Sequence, residues 1–382
     1  MEDDFLVFGK PKIEECEIEE VLDCLKSGWI GTGPRTRRFE EMFREYKGAK
    51  YVAALNSCTA SLHLAMEAIG IKPGDEVIVP AMTFAATANA VIHAGGTPVF
   101  ADVEKETMNI EVSSLSEKIT DKTKAVIPVH FAGRPCKMDE IMEVTTKNGL
   151  KVVEDCAHAL EAEYKGVKTG TIGEIGCFSF YATKNVVTGE GGMAISDNEE
   201  YARKIKIMSL HGMSLDAWER AGDTRHRHYE VVYPGYKYNM TDLQASLGLH
   251  QLPRIEEYHK RREEIWERYN SAFKDLPVST PSAIESGTKH GYHLYTLMLD
   301  IDKISLSRDE FIDEMKKRKI GVGVHYRALH LHPYYRDTFG YKRGDFPAAE
   351  WISDRTVSLP LSPALTNENV DAVISAVRGI LA

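Results

Sequence analysis

The chain has 382 residues, 43% hydrophobic and 27% charged, an ordinary globular composition that suggests two domains and a core needing no metal or disulfide staple. Its formal net charge of -10 argues against nucleic acid as a partner, because phosphate backbones are met by clustered Lys and Arg. No stretch approaches the roughly 20 apolar residues of a membrane span, and the acidic start MEDDFLVFGK lacks the apolar centre of a signal peptide, so a cytoplasmic protein without a membrane partner is expected.

The first predicted element is a helix over 13–27. The loop SGWIGTGPRT follows, and it contains Thr32. Its glycines fit neither a phosphate loop nor the dinucleotide fingerprint, so it reads either as a plain connection or as a border of a site. From Tyr51 short apolar runs alternate with helical spacing. YVAAL, GDEVIVP, TPVFADV, KAVIPVH and KVVED read as strands. TASLHLAMEAIG, TFAATANAVIHAG and MDEIMEVTTKNG read as helices, the first capped by Ser57. This alternation predicts an α/β fold with a mostly parallel sheet covered on both faces. GCFSFYA and GGMAISD are close enough to be strands joined by a glycine turn.

A long helical stretch over about 241–273, kinked at Pro253, leads to the tail. The tail contains strand HLYTLMLDI, helix RDEFIDEMKKRK, strand IGVGVHY and a last helix near 367–381. The predicted division is a large domain over 1–250 and a smaller α+β domain over 251–382.

Six cysteines occur and none forms a CxxC pair, so neither a zinc ribbon nor a redox motif is signalled. His325, His330 and His332 lack interleaved acids and zinc spacing, and no metal is expected.

Chemistry gathers at predicted strand ends. NSCTAS (56–61) opens a helix, whose first amides suit a phosphate, although alone it reads first as an N-cap. Asp155 ends an apolar strand, where a carboxylate needs a cation or serves as another cap. His158 stands three residues on and shares the Asp155 side if the chain turns helical there. As a lone histidine it reads equally as a hydrogen-bonded residue without a ligand. In FSFYATKNVVTGEGG, Lys184 leaves a strand just before a glycine turn, and a desolvated amine there becomes nucleophilic. A phosphate cradle, a strand-end acid and such a lysine together match pyridoxal phosphate.

The blocks NSCTASLHLAM, VIVPAMTFAATANAV, PVHFAGRP, VVEDCAHAL, FSFYATKNVVTGEGGM and PGYKYNMTDLQASLGLHQL, in this order, resemble the DegT/DnrJ/EryC1/StrS sugar aminotransferases, over nearly the whole chain. GVGVHYRALH, YYRDTF and SLPLSP are most similar to the ArnB type, which acts on a UDP-4-keto-pentose. The resemblance implies the type I, aspartate aminotransferase-like fold of pyridoxal-phosphate (PLP) enzymes. It implies that Lys184 forms the Schiff base, Asp155 pairs with the pyridine nitrogen and His158 lies near the phenolic oxygen. Phe84 would stack on the ring, and Thr59, Ala60 and Ser179 would bind the phosphate. Asn239 would reach the phosphate of a neighbouring subunit in an obligate homodimer. His325 would border the sugar, and Thr32 is a further substrate candidate. A nucleotide needs cations, and Lys237 and Arg227 are put forward for it from a run that also holds Arg225, His226 and His228, a run that reads otherwise as a solvated loop with scattered charge. The implied reaction converts a 4-keto nucleotide sugar to its 4-amino sugar, with glutamate leaving as 2-oxoglutarate, in polysaccharide or lipopolysaccharide synthesis.

Cys58 stands where many relatives carry glycine, and Phe84 where the ArnB type carries tryptophan. Relatives that dehydrate sugars replace the lysine by histidine; this chain keeps Lys184. A PLP-dependent dehydratase and a non-catalytic nucleotide-sugar-binding relative are the competing readings.

Overall fold

The computed structural model describes residues 5–214 and 229–381. Seven strands form the main sheet: β1 (Tyr51–Leu55), β2 (Glu76–Pro80), β3 (Thr97–Ala101), β4 (Thr123–Val126), β5 (Lys151–Asp155), β6 (Ile175–Ser179) and β7 (Gly192–Ser196). Their order is β1-β7-β6-β5-β4-β2-β3. Pairs within β3-β2-β4-β5-β6 are parallel, and β7 pairs antiparallel with both β6 and β1. The β6–β7 hairpin is the one foreseen around the glycine turn. Val77, Ile78, Val79, Val152 and Val153 are fully buried, as expected of strands covered on both faces.

The helices begin and end where local chemistry dictates. Helix α1 spans Glu15–Ser27 and stops at Gly28, whose φ of 73° suits glycine. Helix α2 is Pro34–Lys47 and α3 is Cys58–Ile69. Ser57 caps α3, its Oγ accepting from Ala60 N–H at 3.1 Å. Helix α4 is Ala85–His93. The stretch foreseen over 241–273 is Asp242–Gln251, a single 3-10 turn Leu252–Arg254 containing Pro253, and Ile255–Phe273.

A second, antiparallel sheet joins β8 (Val278–Ser279), β9 (Tyr295–Leu299) and β10 (Thr356–Leu359) in the order β8-β9-β10. Helices Arg308–Lys317 and Asn367–Leu381 accompany it. The first carries a complete capping box from Ser307 and Glu310.

One local expectation fails. IGVGVHY is not a strand; it makes only single bridges, Leu6 with Ile320 and Gly323 with Ser358. Its glycines serve close approach, since a Cβ on Gly323 would lie 2.7 Å from the His325 ring. The helical turn on which the placing of His158 is conditional is not formed after Asp155. The chain makes a turn there, closed by Ala159 N–H to Cys156 O at 3.0 Å, and this turn delivers His158.

Candidate active site

A cavity of about 460 Å³ opens at the carboxyl ends of β5 and β6 and at the start of α3. Cys58, Thr59, Phe84, Asp155, His158, Ser179, Lys184, His325 and Tyr326 line it. This is where an open α/β sheet gathers ligands.

Asp155 is the last residue of β5 and is buried. Its Oδ1 accepts from Ala157 N–H at 3.1 Å, and its Oδ2 accepts from the Thr87 hydroxyl at 2.9 Å. Thr83 and Thr87 hydroxyls lie 2.8 Å apart, extending the chain of bonds. Burial pushes the Asp155 carboxyl up, and these two donors with the charge of Lys184 pull against that. A buried carboxylate in this setting calls for a cation in the cavity.

Lys184 is half-buried and faces the same cavity. Its own N–H donates to Tyr181 O at 2.8 Å, fixing the turn. Loss of water brings its ammonium down to about 8, against the opposing influence of Cys58 and Asp155. A lysine in that range carries an appreciable neutral fraction near pH 7, which nucleophilic attack requires.

Gly192 seats the β6–β7 hairpin on α3: a Cβ there would lie 2.4 Å from the Ser57 carbonyl carbon. The bulky neighbour that this glycine admits is thus the start of the helix itself. Thr59 is exposed in the first turn of α3 and lines the cavity. Ala60 is buried, and its amide is already engaged by Ser57. The first helical turn still presents its leading amides and partial positive charge to the cavity.

His158 is buried, and its neutral form is favoured by burial and by the charges of Lys184, His293 and His325. Phe84 precedes α4, is 60% exposed, and holds its ring 5.8 Å from that of Tyr326. His325 binds Ser358 Oγ through Nδ1 at 2.8 Å, and burial lowers its pKa to about 4.

Four described sequence candidates do not line this cavity: Ala60, Thr32, Lys237 and Asn239. Asn239 Nδ2 donates to Thr32 Oγ1 at 2.5 Å, and the Thr32 hydroxyl donates to Met240 O. Asn239 also bridges to Leu55 at the end of β1. Lys237 is exposed and bridges to Leu210. Arg227, with Arg225, His226 and His228, lies outside the described residues.

Sequence reasoning passed over Tyr326, Thr83 and Thr87, each inside a quoted block but without a distinguishing pattern. It also missed a buried set behind Lys184. Asn185 Nδ2 donates to Glu161 Oε2 and Oε1 at 2.8 and 3.0 Å and to Gly291 O at 2.8 Å. Glu161 pairs with Arg262, and His293 Nδ1 meets Asn185 Oδ1 at 3.0 Å. Among the described residues, His130, Glu154 and Cys156 are grouped closely enough to hold a metal. Glu154 is already saturated, accepting from His130 Nε2 at 2.9 Å and from the amides of Gly170, Ile172 and Gly173 at 2.8, 2.8 and 2.7 Å. The group is a hydrogen-bonded buttress under β5.

A desolvated lysine facing a strand-end carboxylate, beside a helix start, defines a PLP-dependent enzyme, and these residues fit that cofactor's aldehyde, ring nitrogen and phosphate. The DegT/DnrJ/EryC1/StrS aminotransferase family model matches residues 11–378, and the chain belongs to that family. It is 54% identical over 377 residues to the uncharacterized protein MJ1066 of Methanocaldococcus jannaschii, covering 99% of this chain and 98% of that one. It is 50% identical over 379 residues to the spore coat polysaccharide biosynthesis protein SpsC of Bacillus subtilis, covering 99% and 97%. Among solved structures it is similar to the putative sugar aminotransferase Spr1654 of Streptococcus pneumoniae. The PMP-form has 36% identity, a TM-score of 0.92 and 98% of each chain covered. The PLP-form has 35% identity, a TM-score of 0.90 and 99% and 100% covered. The fold is that of the PLP-dependent aminotransferases, and PLP is the cofactor.

Proposed function

We propose that this enzyme transfers the amino group of glutamate to the keto carbon of a nucleotide-linked 4-keto sugar, releasing 2-oxoglutarate. The observation that carries the reading is Lys184, its pKa brought to about 8, in one cavity with Asp155. The bound cofactor supplies an aldehyde for amine capture and a ring that accepts electrons. The chain's own residues do the rest. Lys184 would hold the aldehyde carbon and, once freed by the incoming amine, would take the proton from the donor's α-carbon in the first half-reaction and deliver one to the sugar carbon in the second. Asp155 keeps the ring nitrogen protonated, an electrostatic role worth several kcal/mol in preorganised sites, about 3–4 by analogy. Ser179, Thr59 and the α3 amides hold the phosphate. Phe84 covers the ring face and His325 borders the sugar. The two substrates use one cavity in turn, so ping-pong kinetics are expected.

A sugar substrate is supported by SpsC, whose name places it in polysaccharide biosynthesis, and by Spr1654, described as a putative sugar aminotransferase. UDP is our choice of nucleotide, on the likeness of GVGVHYRALH and SLPLSP to the ArnB type. Lys237, Thr32 and Asn239 are assigned to a neighbouring subunit's cavity in a homodimer, because none lines the cavity of its own chain. The face for that partner is supplied by Ile18, Leu22 and Leu25, spaced on one side of α1, with Trp29 and Ile30; these five are 45–52% exposed. No helix among the described residues is long and apolar enough to cross a membrane, and all six cysteines are free thiols, which suits a cytoplasmic enzyme. The test is a panel of 4-keto nucleotide sugars offered with glutamate and read by mass spectrometry. A product with the oxygen replaced by an amine supports the proposal; a deoxy sugar or no conversion across the panel rejects it.

A further inference from the structure

The Tyr326 oxygen lies 3.2 Å from Nε2 of His158. The other ring nitrogen decides which atom donates. Ala132 N–H meets Nδ1 of His158 at 3.3 Å. A backbone amide only donates, so Nδ1 is the bare, accepting nitrogen. A neutral imidazole with a bare Nδ1 has its proton on Nε2. That proton goes to the Tyr326 oxygen, and the phenol's own proton is not used on His158. Among the described residues the hydroxyl meets no other polar partner. Tyr326 lines the cavity.

The ring that carries it is held on several sides. It stacks on His158 with centroids 6.2 Å apart at 20°, and meets the Phe131 ring at 6.0 Å and 82°. Its backbone N–H points to Met82 Sδ at 3.4 Å. The cavity therefore contains a fixed O–H donor with no acceptor of its own.

PLP has four polar positions. Three are matched above: the ring nitrogen by Asp155, the aldehyde by Lys184 and the phosphate by the start of α3. The fourth is the phenolic oxygen, an anionic acceptor, which the family resemblance brings near His158; the one proton of neutral His158 is given to Tyr326, so the hydroxyl of Tyr326 is the donor left to meet that oxygen. We propose that Tyr326 donates its hydroxyl proton to that oxygen, with His158 acting as a positioning residue that aims the phenol. This rests on the cofactor orientation given above, and it makes Tyr326 a cofactor-binding residue that strengthens selection for a ring bearing an oxygen at that carbon.

The test is a cycle between one hydroxyl on the protein and one on the ligand. Cofactor-free protein is titrated with PLP and with its 3-deoxy analogue, following intrinsic fluorescence and heat. Wild type should prefer PLP, and Tyr326→Phe, which keeps the ring, should reduce that preference by at least about tenfold, as a hydrogen bond to a charged oxygen implies. His158→Leu, which leaves the phenol but removes its guide, should reduce the preference in the same direction and less. An unchanged preference in Tyr326→Phe overturns the assignment. A reduction in Tyr326→Phe with none in His158→Leu overturns the positioning part. If wild type binds neither aldehyde, the cofactor placement itself fails, and the two failures are thereby separated.

Discussion

Asn185, the residue after Lys184, gives its side-chain amide to both oxygens of Glu161, at 2.8 and 3.0 Å, and Glu161 is paired in turn with Arg262. All three are buried. Arg262 belongs to helix Ile255–Phe273, so an ion pair from a distant part of the chain holds the residue next to Lys184. Removing Asn185 leaves a buried carboxylate short of donors. Asn185→Ala should cost about 1–3 kcal/mol in chemical unfolding and slow borohydride-trapped attachment of PLP. Arg262→Ala, which strands the Glu161 charge, should cost more, about 3–5 kcal/mol.

Lys184→Ala should abolish the yellow absorption band of the loaded protein and lower turnover by at least about three orders of magnitude, as loss of a covalent nucleophile does. Absorbance and a coupled 2-oxoglutarate assay check both. A coloured, active Lys184→Ala enzyme would end the covalent reading.

The neutral amine is the form that attacks an aldehyde. With Lys184 at about 8, the rate of PLP capture by cofactor-free protein should climb with pH through a midpoint near 8 and then level off. Asp155 raises the Lys184 pKa, so in Asp155→Asn the midpoint should move down. Stopped-flow absorbance against pH reads both.

Asp155 also predicts opposed effects on activity and stability. Its folded pKa lies above the ordinary 3.8, so its contribution to stability is complete below that value and is lost as pH rises through the higher folded value. Cofactor-free Asp155→Asn should therefore melt higher than wild type at pH 7, with the gap closing below about pH 4. Its turnover should fall by roughly a hundredfold to a thousandfold. Calorimetry at two pH values and steady-state kinetics test the pair.

For the proposed dimer, Leu22→Glu with Leu25→Glu should convert the protein to monomers in analytical ultracentrifugation. Asn239→Ala should remain dimeric and release PLP faster on dialysis. A monomer that retains PLP as tightly as the dimer would refute shared cavities.

Much of the sheet was legible because each strand is a short apolar run bounded by turn residues, and Ser57 announces its helix. Segment 320–326 misled because V-G-V spacing imitates a strand, while Gly323 is there to admit the His325 ring. The polar partners were not legible because they meet across the chain. Thr87 and Asp155 are 68 residues apart, His158 and Tyr326 are 168 apart, and Glu161 and Arg262 are 101 apart. A local pattern contains no trace of such pairings. Lys184 and Asp155 were readable because each breaks a local rule, a charge placed at the mouth of an apolar strand.

Ser179 ends one arm of the hairpin whose connection holds Lys184, and Gly192 of the other arm rests directly on Ser57. On the proposed reading the lysine that binds the coenzyme and one of its phosphate ligands thus share one supersecondary unit, while His325, the proposed neighbour of the sugar, arrives on a separate, bridge-paired segment. If those roles hold, descendants of this chain can vary the surroundings of His325 for new sugar preferences while Lys184 stays in register, a division of labour that gives the scaffold room to diversify.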